Sequence, residues 1–287
     1  MGVGEKMALA NMIDILKKAD EGNYAVGAFN VANMEMIMGA IKAAEDLSSP
    51  IIIQVAEGRL EYSPLDLIGP MMIAAAKKAK VDVVVNLDHG SKMENIKKAL
   101  ELGFTSVMID GSKLPLEKNI ELTKNVIEEA NKYGVPVEAE VGRVGGSEDS
   151  SKAVSILYTD IEDAKKFVKE TNDSTLAVAI GNAHGIYQGE PNLNFEVLEN
   201  INEEIEIPLV LHGGSGITEE DFRKCARTGI RKINIATSTF NSVNNEAKNL
   251  YKEDIDTNYF KLNSAQIKGA YDNVYKYIKI FGSENKA

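Results

Sequence analysis

The chain has three histidines, and glycine follows each one directly: Leu87-Asp88-His89-Gly90, Asn182-Ala183-His184-Gly185 and Leu211-His212-Gly213-Gly214. Each stands after an apolar run, namely Val83-Val84-Val85, Leu176 to Ile180 and Leu209-Val210-Leu211. Imidazoles at the exits of three buried strands can converge on one point. Three neutral nitrogen ligands with an open fourth position describe a catalytic zinc site. Glycine lets the backbone turn sharply and approach a ligand closely at such exits. One histidine of this kind reads as a hydrogen-bonded rim residue, but three with none elsewhere favour a metal centre.

Other polar residues fall at the same strand ends. Asp88 adjoins His89, so one of the pair can bind metal while the other moves a proton. The plainer role for Asp88 is orienting a ligand, a common duty of carboxylates near zinc. Asp110 and Glu140 stand at the ends of largely apolar strands, need a cationic partner, and fit that orienting duty better. Gly213-Gly214-Ser215-Gly216 and Asn234-Ile235-Ala236-Thr237 suit a phosphate held by backbone N–H groups, hydroxyls and a helix amino terminus. The loop from Gly142 to Asp149 reads equally as a glycine-hinged lid or as a solvated surface loop.

These residues need a frame to bring them together, and the periodicity supplies one. A helix from Asn11 to Ala19 precedes a first strand, Ala25 to Phe29. Strands then fall at Pro50–Val55, Val81–Asp88, Thr105–Asp110, Val135–Glu140, Thr175–Ile180, Ile207–Leu211 and Arg231–Ile235, with helical stretches between them. A last amphipathic helix, Ala265 to Phe281, is expected on the outside. Near-continuous apolar strands indicate burial on both faces in a parallel sheet. Eight strand–helix units predict an α/β fold: a single-domain (β/α)8 TIM barrel over 1–287, with an N-terminal helix and an extra C-terminal helix. An open doubly wound sheet is the rival, but no glycine fingerprint opens the first helix. In a barrel, functional groups gather at the carboxyl ends of the strands.

The net charge of −11, unbroken by any basic stripe, argues against a nucleic-acid partner. No apolar run reaches the roughly 18 residues needed to span a bilayer, and Met1 to Lys6 does not read as a secretion signal. The single cysteine, Cys225, rules out an internal disulfide and falls inside a helical pattern, which suggests packing. A cytoplasmic location is the expectation.

At these motifs the chain resembles the class II (zinc-dependent) ketose-bisphosphate aldolases, of the branch holding tagatose- and fructose-bisphosphate aldolases. The similarity runs through Tyr24 to Asn30, Leu87 to Gly90, Val137 to Gly142, Leu176 to Gly185, Leu211 to Gly216 and Lys232 to Thr237. The resemblance implies one catalytic Zn2+ per subunit, held by His89, His184 and His212. It makes Asp88 the acid/base at the aldehyde-derived oxygen and Glu148 the base that moves a proton on dihydroxyacetone phosphate. Gly185, Gly213, Gly214, Ser215, Asn234, Ile235, Ala236 and Thr237 match the cradle for that substrate's phosphate, and Asn30 is a further substrate-binding candidate. Glu140 and Asp110 match carboxylates near an alternative metal position. A monovalent cation, Na+ or K+, and assembly as a homodimer or homotetramer are implied as well. So is a phosphosugar substrate in carbohydrate metabolism or glycolysis.

Departures from the family pattern bear on the substrate. Ala56 stands where many relatives have a phosphate-binding serine, Ala236 resembles the tagatose type, and Phe240 replaces a polar or cationic residue. An aldolase for a singly phosphorylated ketose, or a phosphosugar-binding barrel without turnover, are the alternatives. A metal-dependent hydrolase fits three histidines less well, because a fourth histidine or a His-x-His pair is missing. A Schiff-base aldolase would need Lys232 as its nucleophile.

Overall fold

Strands buried on both faces are satisfied only by a sheet that closes on itself or is covered twice. The computed structural model describes residues 8–146, 158–172, 174–184 and 191–287. In it, eight parallel strands close in the order β1 (Val26–Asn30), β10 (Ile230–Ile235), β9 (Leu209–Leu211), β7 (Thr175–Val178), β5 (Val137–Val141), β4 (Ser106–Ile109), β3 (Val83–Gly90) and β2 (Ile51–Ala56). This is the (β/α)8 barrel that the periodicity predicts. Helices cover its outer face, where Val83, Val85 and Leu87 of β3 join one large apolar core.

The barrel interior is stratified. At the floor, Val26, Ala28, Ile52 and Val84 meet Met12, Ile15 and Leu16 of α1 (Met12–Glu21). Asn11 caps that helix by accepting from the Ile13 amide. Above the floor the interior turns polar: Gln54, Asn86, Ser106, Glu138, Thr175 and Lys232 are all fully buried. The functional rim lies above this belt.

Three features differ from the sequence reading. The last helix, α10 (Tyr259–Phe281), starts six residues before Ala265, because Asn258 caps it at the Lys261 amide. It packs on the outside as expected, and the Phe281 carbonyl accepts from Ala25 at the foot of β1. It also lies close to α2 (Met34–Asp46) and α9 (Thr237–Glu253), where glycines permit the approach. A Cβ on Gly39 would stand 2.4 Å from the Ile267 carbonyl, and one on Gly269 would stand 2.6 Å from the Val243 Cα. Second, a 3-10 turn at Glu57–Arg59 follows β2. Third, the glycine-rich loop begins with β6 (Gly145–Gly146), which pairs with β8 (Ala183–His184) in a separate two-stranded sheet. No helix among the described residues is long and apolar enough to cross a membrane.

Candidate metal centre and active site

Successive residues of a strand face opposite sides, so Asp88 and His89 should diverge. The end of β3 departs from that rule. Its pairing with β4 slips between Leu87 and Gly90, and His89 adopts a left-handed φ of 48°. Both side chains therefore reach the barrel mouth. Gly90 makes the slip sterically feasible, since a Cβ there would lie 2.4 Å from the Met108 carbonyl.

His89 and His212 meet edge to face, with ring centroids 4.6 Å apart. His89 Nδ1 bonds to Asp110 Oδ2 at 3.0 Å, and His212 Nε2 bonds to Glu138 Oε1 at 2.9 Å. Ionised carboxylates only accept, so those two nitrogens carry the protons. The remaining nitrogens, His89 Nε2 and His212 Nδ1, face each other at 3.0 Å. Two bare lone pairs repel at that separation, so a proton or a metal cation belongs between them.

The donor set fits a divalent cation. Ligand atoms of Asp88, His89 and His212 lie within 4.8 Å of one another, as do those of His89, Asp110 and Glu140. Glu140 Oε2 is buried with no hydrogen-bond partner and stands 3.6 Å from His212 Nδ1. Such an orphaned oxygen beside imidazole nitrogens is a natural cation ligand. Its other oxygen, Oε1, accepts from the Val144 amide at 3.2 Å.

The electrostatics agree. Burial disfavours a charged His89, yet Asp88, then Asp110 and Glu140, push it up to about 10. Burial, reinforced by His89 and Lys232, drives His212 well below the ordinary histidine range. Burial beside Asp110 raises Glu140 to about 8. Partial burial works to raise Asp110, but its bond to His89 and the Ser112 hydroxyl and amide hold it below the usual carboxylate range.

Asp88 is almost wholly buried, which alone would raise its pKa. The positive surroundings of His89, His212 and Lys232, with the Asn30 hydrogen bond, nonetheless keep it low and ionised. Asn30 Nδ2 donates to its Oδ2 at 3.0 Å, and Asn234 Nδ2 donates to its Oδ1 at 3.0 Å. Lys232 dictates which way Asn234 points. Its ammonium donates only, and it sits 2.6 Å from Asn234 Oδ1, leaving Nδ2 for Asp88. The same ammonium lies 3.0 and 2.9 Å from the two oxygens of Glu138. Held in the belt in this way, Lys232 is not placed as a Schiff-base nucleophile. Cys225 is likewise no nucleophile: burial pushes its thiol up to about 12.

A pocket opens over this cluster. Of the predicted residues, Asn30, Asp88, His89, Gly213, Gly214, Ser215, Asn234, Ala236 and Thr237 line it. Ile235 instead places its side chain in the outer apolar core. Helix α9 opens at Thr237, and its cap residue, Ala236, offers no side-chain cap. Its first amides thus remain available to an anion at the pocket wall. Asn182 bridges two strand exits, accepting from the Ile180 amide and donating to the His212 carbonyl at 2.9 Å. Glu148, Gly185 and the side chain of His184 lie outside the described residues.

Arg59 lines the same pocket, with its guanidinium 5.8 Å above the Phe240 ring, and sequence reasoning missed it. Its signal was positional: it closes the turn at the carboxyl end of β2. The belt residues Gln54 and Asn86 were also missed, although polar residues at inward parity in apolar strands mark them.

The family model for class-II fructose-bisphosphate aldolase matches residues 10–286. The 6-phospho-5-dehydro-2-deoxy-D-gluconate aldolase of Bacillus subtilis (strain 168) is 39% identical over 292 residues, covering 98% of this chain and 98% of that protein. A probable fructose-bisphosphate aldolase of the same organism is 43% identical over 234 residues, covering 80% of this chain and 82% of that one. Among solved structures, the crystal structure of the YdjI aldolase from Escherichia coli K12 superposes with a TM-score of 0.88 at 38% identity, covering 97% of this chain and 99% of that one.

Proposed function

Because the chain belongs to the class II fructose-bisphosphate aldolase family and is therefore a carbon–carbon lyase, we propose that it reversibly cleaves a ketose phosphate to dihydroxyacetone phosphate and an acidic aldehyde, with zinc as its metal. The observation that carries this is the facing pair of imidazole nitrogens, His89 Nε2 and His212 Nδ1, 3.0 Å apart beside an ionised Asp88. His89, His212 and His184 would hold the ion, with Asp110 and Glu138 fixing the two described rings through their other nitrogens. When bound, zinc supplies Lewis-acid stabilisation of the negative charge left on the three-carbon fragment.

The chain's own residues do the rest. Asp88 is ionised and takes the proton from the hydroxyl whose carbon becomes the aldehyde. Asn30 and Asn234 aim its two oxygens. Glu148 returns a proton to the three-carbon fragment. Gly185, Gly213 to Ser215 and Asn234 to Thr237 cradle the phosphate, assisted by the uncapped amides of α9.

Arg59 supports an acidic group at the substrate's other end, since it is a cationic side chain at the pocket mouth. The two Bacillus subtilis relatives are named for a sugar bisphosphate and for a phosphorylated sugar acid, and each such molecule carries two acidic groups. The same reading includes a bound monovalent cation, homo-oligomerisation and a cytoplasmic place in carbohydrate metabolism.

The test is a coupled cleavage assay on chelator-stripped and zinc-restored protein. Its substrates are fructose 1,6-bisphosphate, tagatose 1,6-bisphosphate, a phosphorylated keto acid and a ketose with one phosphate and a neutral tail. Zinc-dependent cleavage that prefers an acidic tail, with the preference lost in Arg59→Met, is expected. Turnover indifferent to chelation, or to Arg59, overturns the corresponding part of the reading.

A further inference from the structure

Asp88 is held by two amides, and one of them is also fixed at its oxygen by a cation. Lys232 fixes Asn234. Asn30, on the other side, is oriented at its Nδ2 by the Asp88 carboxylate, and its buried Oδ1 needs a donor of its own. A reversed Asn30 would aim Oδ1 at an ionised carboxylate, replacing an attraction with a repulsion.

The structure supplies that donor. Gln54 of β2 is paired in register with Asn30 of β1 and with Asn86 of β3. Its Nε2 donates to Asn30 Oδ1 at 2.8 Å, and its Oε1 accepts from Asn86 Nδ2 at 3.1 Å. Asn30 Nδ2 then donates to Asp88 Oδ2 at 3.0 Å. Gln54 and Asn86 are wholly buried, and Asn30 is 2% exposed, so water does not compete for these bonds. Gln54 and Asn86 do not line the pocket. Three buried amides thus run across neighbouring strands and end on the carboxylate.

We propose that Gln54 is a positioning residue: its side-chain N–H locks the orientation of Asn30, and through it the geometry of Asp88, without touching the substrate. The inference rests on the aldol reading, in which Asp88 takes the hydroxyl proton. A near-isosteric Gln54→Met removes both hydrogen bonds and adds no charge. It leaves Asn30 Oδ1 without that donor, loosens the amide that aims Asp88 and slows proton transfer at the cleavage step.

The experiment is a double-mutant cycle between Gln54→Met and Asn30→Ala, on protein with wild-type metal content. Gln54→Met is expected to lower kcat for cleavage about tenfold, with KM within about twofold of wild type. Exchange of the dihydroxyacetone phosphate proton with solvent should be unchanged, because it does not use Asp88. In the Asn30→Ala background the same substitution should cost nothing further, since the link through Asn30 is already gone. Wild-type cleavage by Gln54→Met, multiplying effects in the double variant, or an equal loss of proton exchange each overturn the proposal. If Gln54→Met does not fold, Asn86→Leu tests the chain one link further away: a smaller loss that again vanishes with Asn30→Ala. A wild-type protein that cleaves no ketose phosphate sinks the aldol reading itself. A cleaving wild type matched by Gln54→Met sinks only this inference.

Discussion

His89 carries the tightest conflict in the molecule. Its Nε2 is placed to hold a cation, yet Asp88, Asp110 and Glu140 favour a proton on its ring up to about pH 10. Proton and metal compete for one nitrogen, so metal uptake must release a proton. The sign follows: raising the pH toward 10 removes the competitor, and apparent zinc affinity rises. Chelator competition at pH 6.5 and pH 8.5 should give tighter binding at the higher value, and a flat profile would count against the site. Lys232 is a second residue with a measurable role. Lys232→Met leaves Glu138 charged in the belt without its cation, keeping only the His212 ring N–H, at a cost of about 3–5 kcal/mol. Denaturant unfolding reads this directly. Adding Glu138→Gln should recover most of the loss, because the uncompensated charge is then gone.

Among the elements, helix contacts are set by small residues. Gly39 of α2 lies against α10, where any side chain meets the Ile267 carbonyl. Gly39→Ala should therefore destabilise the fold by about 1–3 kcal/mol through overpacking, although alanine is the better helix former. Unfolding midpoints decide it: stabilisation would mean that the two helices are not in contact. Elements were also where the sequence was most legible. Runs such as Val83-Val84-Val85 and Leu209-Val210-Leu211, with apolar residues recurring through the more polar β5 and β10, revealed the barrel strands, because burial on both faces leaves few polar positions. The short strands β6 and β8 carry no such run, being Gly145–Gly146 and Ala183–His184, and gave no periodic signal. The site was legible where residue type was rare, as with the histidines. It was not legible where chemistry depends on direction. Nothing in the string Gln54-Val55-Ala56 tells which way an amide points, and the register slip that turns His89 inward shows only in three dimensions.

As a whole, the barrel separates stability from chemistry by height. The floor is apolar and closed by α1, the belt is held by the Lys232–Glu138 pair and its amides, and among the described residues the cation-binding groups sit at the rim. Removing a metal from such a molecule should disarm the rim without opening the strata beneath it. Chelation is thus expected to abolish cleavage while leaving the far-ultraviolet circular dichroism intact. Borohydride added with substrate should trap nothing on Lys232, whose ammonium is committed to Glu138 and Asn234. On the proposed reading zinc binds the folded rim and not the unfolded chain, so restoring it should raise the unfolding free energy. At about a hundredfold excess over Kd the gain is roughly 2.7 kcal/mol. Calorimetry on stripped and restored protein makes the comparison. A stripped protein that had lost its secondary structure would show that the rim ion, rather than the floor and belt, holds this barrel closed.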